Sequence, residues 1–449
     1  MMPRLASAVV AALVAGLLAA PGPAASARGL AESVRSEGGG GRVKDLDLFV
    51  PRGYADQRVD ATVRLLGADG RPDAGQRVRL QRFDGRSWQL LAARETGEDG
   101  RVSRPVTLRR RAELNRFRVK HTTPTRTLTT RRDPALLRRT SRVTLFGQKK
   151  LRDGRSMTLR LSWATGQGER LRGKVRLERD TGSGWRAADT LKTSKLGKAR
   201  VRVRPRVDTR FRAVGLPSSW FLGDTSNEIA VDNLPPGDRV RLPAGAPAPR
   251  RALPAQPRAV GRGANAVATY LPDDVWNDMV GVSWRRGCPV GRSGLRLVRT
   301  NYWGFDGYRY RGQLVVNADV VGRVLGVVRG LYAAELPVRR MYRVDRFGYS
   351  SRLRGANGFA SMAADNTSAF NCRGALGRPR DRAVSATGRS IEMNPWENPS
   401  LTPNGWVPDD WWVGRAHPRV AWRSTAHPVV RVFARHGFRW RYGTFTARR

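Results

Sequence analysis

Two cysteines and four histidines are all this 449-residue chain has of the side chains that most often hold transition metals or act as thiol nucleophiles. Neither Cys288 nor Cys372 has a histidine near it in sequence, which argues against a Cys–His nucleophile. No histidine pair shows the His-Glu-x-x-His spacing of a helical zinc site. Acidic residues are scarce as well: 37 Asp and Glu stand against 83 Lys and Arg. After Ala20 no apolar run approaches the roughly 20 residues that a membrane-spanning helix needs, so no transmembrane segment is expected in the mature chain.

The apolar run that does occur is N-terminal. Arg4 precedes an apolar stretch from Leu5 to Ala20, Pro21-Gly22-Pro23 ends it, and Ala25-Ser26-Ala27 supplies small residues for cleavage. This pattern reads as a signal peptide over 1–27, which predicts a secreted protein. Outside the cytoplasm an even cysteine count favours a Cys288–Cys372 disulfide. Closing a loop of about 85 residues would contribute about 4 kcal/mol in the chain-entropy model.

The formal net charge is +46. An excess this large favours polyanionic partners, because binding them releases counterions. For an exported protein these are peptidoglycan carboxylates, other anionic cell-wall polymers and lipid headgroups, with nucleic acid as the weaker alternative. Much of the arginine lies in alternating segments such as Arg200-Val201-Arg202-Val203-Arg204, where every second side chain faces solvent in a strand. A solvated basic surface is therefore the competing explanation.

After a flexible linker over 28–45, two segments repeat each other. Leu80, Trp88 and Gly100 have the same spacing as Leu177, Trp185 and Gly197. Short alternating stretches between Gly, Asp and Asn turns predict antiparallel strands. Two immunoglobulin-like β-sandwiches follow, over 46–135 and 136–233, each with its Trp expected to pack between the sheets. His121 is expected at a strand end on the surface. Residues 234–265, with Pro235-Pro236, Pro243, Pro247 and Pro249, read as a Pro/Ala-rich, semi-rigid linker.

From 266 the texture becomes mixed helix and strand, predicting an α+β domain to 449. Asn317 to Leu331 carries Val320, Val321, Val324, Leu325, Val328 and Leu331 on one helical face. Pro428 to His436 reads as a second helix, with Pro in its first turn and Gly437 just past its end. Trp396, Trp406, Trp411, Trp412, Trp422 and Trp440 crowd this region, as core, cleft wall or stacking surface for sugar rings.

The run Ala383-Val384-Ser385-Ala386-Thr387-Gly388-Arg389-Ser390-Ile391-Glu392-Met393-Asn394-Pro395 resembles the metal-binding segment of the D-alanyl-D-alanine carboxypeptidase family, which includes the L-alanyl-D-glutamate peptidases of phage endolysins. That family's pattern is S-x-H-x-x-G-x-A-x-D-x-N-P, with the His and Asp on zinc. Further pieces come in the family's order, among them Cys288-Pro289-Val290, Tyr302-Trp303-Gly304-Phe305-Asp306-Gly307 and Asn366-Thr367-Ser368-Ala369-Phe370-Asn371-Cys372-Arg373. The resemblance implies a Hedgehog/DD-peptidase type of α+β fold from near Gly287 to Phe445. It also shows what differs. Ser385 stands at the His position and Glu392 at the Asp position. In the terminal acidic-x-x-His-Phe segment, Thr444 stands at the last ligand and Arg441 at the catalytic base.

Zinc hydrolases need about three protein ligands and an open site for water. Serine and threonine hydroxyls stay protonated near neutral pH, and one carboxylate cannot hold the ion. Without zinc the attacking water is not acidified toward neutral pH, and no hydroxide forms to attack the amide. The expectation is a pseudoenzyme: no catalytic residue, no metal ligand and no cofactor, with the family's zinc lost. By the same resemblance Arg373, Ser368, Asn366 and Asn394 are ligand-binding candidates, Arg373 through a bidentate pair with a carboxylate or else as a structural ion pair. The leading reading is a protein that binds peptidoglycan or anionic wall polymers without cutting them. An active metallopeptidase on stem peptides is the first alternative. An adhesive protein binding through its β modules is the second.

Overall fold

The computed structural model describes residues 45–441 and 443–448; the signal peptide expected over 1–27 and nearly all of the linker after it lie outside them. Chain contacts divide the molecule into two compact units. One is built from the segment ending at Pro51 with Val59–Val106 and Asn115–Asp133, and the other from Arg52–Arg58, Thr107–Leu114 and everything after Pro134.

The first unit is a β-sandwich. Its strands are β1 (Asp45–Phe49), β2 (Arg58–Leu66), β3 (Arg77–Phe83), β4 (Trp88–Glu95), β5 (Arg101–Thr107), β6 (Phe117–Thr122) and β7 (Thr127–Arg132). Three of them pair in the order β1-β2-β5, and four in the order β4-β3-β6-β7. This three-plus-four arrangement of antiparallel strands is immunoglobulin-like. Alternation drives it: Val63, Leu65, Val78, Leu80, Phe117 and Val119 are buried, while the residues between them face outward.

The same arrangement recurs at the start of the second unit. Strands β8 (Ser141–Phe146), β9 (Met157–Thr165), β10 (Lys174–Asp180), β11 (Arg186–Lys192), β12 (Lys198–Val203), β13 (Thr209–Gly215) and β14 (Ile229–Leu234) form a sheet β8-β9-β12 and a second sheet with the order β14-β13-β10-β11, extended by the short strands Lys150–Arg152 on β14 and Asp224–Thr225 on β13. The repeated glycines have one job. Gly100 and Gly197 sit at φ of +69° and +65°, and a Cβ there would lie 2.5 and 2.3 Å from the carbonyls of Leu65 and Trp163. Only glycine fits so close a turn.

The two repeated tryptophans correct the expectation. Trp88 lies opposite Phe83, an odd number of residues from the buried Leu80, so the pleat turns it to the outer face. There it stacks on Arg118 at 4.4 Å, and Trp185 likewise stacks on Arg212 at 4.2 Å. The indole between the sheets of the second module is Trp163, fully buried and donating to Ser141 Oγ at 3.0 Å. Gly173 and Gly215 leave room for its ring. His121 is also corrected. It follows Phe117 and Val119 inward on β6 and is 2 % exposed, with Nδ1 3.1 Å from Arg77 O.

Residues 234–265, expected as a linker, run along the C-terminal part of their own unit as a bonded strap. Val240 N donates to Phe305 O and Ala259 N to Arg309 O. Proline removes amide donors but keeps its carbonyl. Accordingly Pro247 O accepts from Trp396 Nε1 at 2.9 Å, Pro257 O from Arg311 N at 2.8 Å, and Pro254 O from the Tyr342 hydroxyl. Gln256 accepts from Met341 N and donates back to Met341 O.

Beyond the strap, helices and strands mix. The hairpin β15 (Leu295–Trp303) and β16 (Arg309–Asn317) forms a sheet with Val267–Thr269. Helix α1 (Val321–Ala333) packs on it through Val324, Val327, Val328 and Leu331, so the buried stripe includes Val327 and leaves Val321 and Leu325 at its margin. Helix α2 (Pro428–Arg435) has Pro at its first turn and His427 as its N-cap. It crosses α1 closely, since a Cβ on Gly326 would meet the His436 ring at 2.5 Å. A second small sheet joins β17 (Ser390–Glu392) to β19 (Thr444–Ala447), which pairs with β18 (Phe438–Arg441).

Candidate functional site

The positions singled out from sequence converge on β17 and the loops bracing it. Ser385 is buried on a single 3-10 turn over Val384–Thr387, closed by Gly388 at φ +69°. Its hydroxyl donates to Asn371 O at 3.2 Å, and its own carbonyl accepts from Asn371 N at 3.1 Å. Glu392 ends β17. It exchanges two backbone hydrogen bonds of 2.9 Å with Ser368 and lies in register with Thr444 on β19. Thr444 in turn pairs across the hairpin with Arg441, whose side chain is exposed. Residues up to 76 positions apart (368 and 444) thus meet along one backbone ladder.

Arg373 closes the group. Its guanidinium donates from Nη2 to Glu392 Oε1 at 3.1 Å and from Nη1 to Gly374 O at 3.0 Å. The pair is enclosed, with 4 % of the Arg373 side chain and 12 % of the Glu392 side chain exposed. Its seat is cut to fit: a Cβ on Gly355 would approach Arg373 Cβ at 2.7 Å, and one on Gly358 its Nε at 2.8 Å. The preceding residue, Cys372, is joined to Cys288 by a disulfide spanning 84 positions. Of the two roles weighed for Arg373, the structural ion pair is the one its contacts describe.

Asn366 and Asn394, expected as ligand-binding candidates, use their amides internally. Asn366 accepts from Tyr342 N at 2.7 Å and donates to Tyr342 O and Ser361 Oγ. Asn394 accepts from Arg339 N and donates to Pro337 O. Both are wholly buried, so they hold loops in place and do not face a cleft. Ser368 is buried too and acts through its backbone.

These residues do not fit a zinc ion. The Ser385 hydroxyl is turned toward a carbonyl, and the Glu392 carboxylate is held by a cation. Among the described residues no three His, Cys, Asp or Glu side chains are grouped to hold a metal.

Two features of the domain were not legible in the sequence. Beneath Asn394, Arg339 bonds both Asp365 Oδ2 (2.6 Å) and Glu397 Oε1 (2.5 Å), two carboxylates with no exposed surface. Burial, aided by the nearby Asp365 charge, pushes the Glu397 carboxyl well above its ordinary range. Next to Arg441 lies an open pocket of about 390 Å³, lined by Pro399, Trp406, Val413, Gly414, Arg423, Trp440, Arg441 and Gly443. Trp406, on the hairpin of Ser400–Thr402 with Gly405–Val407, is 38 % exposed.

No protein-family model and no curated protein matches the chain. Among solved structures it is similar to a tetra-tandem repeat in the extending region of a large adhesion protein, at 12 % identity and TM-score 0.30, over 62 % of this chain and 64 % of that one. It is also similar to invasin, a bacterial integrin-binding protein, at 10 % identity and TM-score 0.29, over 60 % and 48 % of the two chains. The D0-D1 domain of intimin is matched over its full length and 42 % of this chain, at 15 % identity and TM-score 0.18. TM-scores this low define no common fold across the chain. The class defined by strand order is that of proteins with immunoglobulin-like β modules.

Proposed function

We propose that this is an exported, wall-associated binding protein whose C-terminal domain keeps a peptidase-type framework and holds peptidoglycan or anionic wall polymers without hydrolysing them. The observation that carries the reading is the Arg373–Glu392 pair. The carboxylate at a metal-ligand position is neutralised by an arginine seated between two glycines, and the hydroxyl at the other ligand position is bonded inward. Arg441, a permanent cation, stands where a proton acceptor would be needed. A net charge of +46 supplies attraction to polyanions.

Sedimentation of the purified chain with isolated cell walls at physiological salt tests the reading, with D-alanine release measured in the same tubes. Co-sedimentation without release is expected. Release abolished by a chelator would replace this reading with an active metallopeptidase.

A second reading, adhesion through the β modules, has its own observation. Each module carries a half-buried tryptophan clasped by arginines: Trp88 with Arg118 and Arg131, Trp185 with Arg210 and Arg212. Wall binding lost in a Trp88→Ala/Trp185→Ala variant would favour it.

A further inference from the structure

The pocket beside Arg441 has a composition that the framework argument does not explain. Among the described residues two tryptophans and two arginines contribute to its walls, and no carboxylate does. Its volume of about 390 Å³ falls in the range of small-molecule sites, about 300–1,000 Å³.

Arg423 is the informative residue. Its guanidinium is half-buried and, among the described residues, bonds only neutral acceptors: Glu397 O at 3.0 Å, Asn398 Oδ1 at 3.4 Å, and the carbonyls of Trp422 and Trp412. Burial without a counter-charge holds its pKa below the usual arginine range. Partial burial of a cation bonded to dipoles has a cost, and an anion placed against it relieves that cost. Arg441 adds a second cation at the rim. The Trp440 indole N–H is buried and has no acceptor among the described residues. Trp406 offers an exposed aromatic face.

Aromatic surface and two arginines lining one pocket suit a ligand with one apolar ring face and one anionic substituent. We infer that this pocket binds an anionic pyranoside, with the sugar ring against Trp406 and Trp440 and its acidic group toward Arg423 and Arg441. The inference deepens the binding role proposed above and rests on it in one respect, that the domain binds and does not cut. Carboxylate and phosphate substituents share this chemistry, so the test separates them.

The experiment titrates the full chain, followed by tryptophan fluorescence, with N-acetylmuramic acid, glucuronic acid, glucose 6-phosphate and neutral N-acetylglucosamine. At least one acidic sugar should bind tenfold or more tightly than the neutral one, and the better of the carboxylate and phosphate arms identifies the acidic group. Trp406→Ala and Arg441→Glu, both at exposed positions, should each weaken that binding about tenfold while leaving the melting temperature unchanged. Equal binding of acidic and neutral sugars, no binding at all, or unaffected variants would overturn the inference. Wall sedimentation run in parallel separates the two proposals. Walls bound by a chain that ignores every sugar would sink the pocket and leave the wall-binding reading standing. Sugar bound by a chain that ignores walls would do the reverse.

Discussion

At the scale of single residues, the decisive facts are the charged side chains taken out of water. Arg373 and Glu392 compensate each other, so removing one partner leaves a buried charge. Arg373→Met should destabilise the C-terminal domain by about 3–5 kcal/mol. The double variant Arg373→Met/Glu392→Leu should recover most of that loss. Urea denaturation of the three proteins decides it, and single-variant losses within experimental error would remove the pair from the account. Glu397 gives a prediction with a definite sign. Its carboxyl pKa is raised in the fold, so the native state holds the proton more tightly than the unfolded chain. The stability this contributes is complete below the unfolded value near 4.3 and declines as pH rises toward the folded value. Glu397→Gln should therefore be close to neutral at pH 4 and relatively stabilising at pH 8. Parallel melts at the two pH values measure it.

The same scale shows how far local sequence reaches. Ser385, Glu392, Thr444 and Arg441 stood out only through the family resemblance of the short segments that carry them. That Arg373 would close on Glu392, 19 positions on, depended on Gly355 and Gly358 opening a seat for it, and no spacing rule encodes that.

Elements were the most legible level. Helix α2 begins at Pro428 and ends before Gly437 because both signals are local: fixed φ at the first turn, and a φ of +77° just past the end. Its cap was hidden. His427 accepts from Val429 N through Nδ1 at 3.2 Å, and its Nε2 lies 3.0 Å from His417 O, which fits the neutral ring with the proton on Nε2. Burial lowers its pKa from the ordinary value of 6.5. A depressed histidine contributes stability above its unfolded pKa and loses it as pH falls through the folded one. His427→Ala should cost about 1 kcal/mol at pH 7.5, while His427→Asn should keep the cap and remove the loss on acidification. A pH series of thermal melts on the three proteins checks this; identical profiles would discard the cap. The tryptophans mark the limit at this level. Alternation located the strands, but hairpin register set Trp88 outward, opposite Phe83, and left Trp163 as the core indole of the second module.

Across the whole molecule, charge is the dominant fact. With 83 basic against 37 acidic residues, binding to an anionic polymer should weaken steeply with salt. Raising salt from about 50 to about 200 mM should reduce wall co-sedimentation several-fold, by analogy with counterion release from nucleic acids. Salt-insensitive binding would assign recognition to apolar contacts and set the net charge aside.

The sequence by itself determined the periodic and the countable: strand alternation, the repeated Leu–Trp–Gly spacing, the ends of α2, the cysteine pair and the charge. These depend on neighbours a few positions apart or on composition, and backbone geometry converts them directly into local structure. Tertiary structure alone decided which face Trp88 took, how the proline-rich strap of 234–265 used its free carbonyls, and that a half-buried Arg423 would bond neutral carbonyls and an amide oxygen. Each of those depends on which groups far apart in the chain are brought together away from water, where an unpaired charge or an unbonded amide has a cost that no local pattern records.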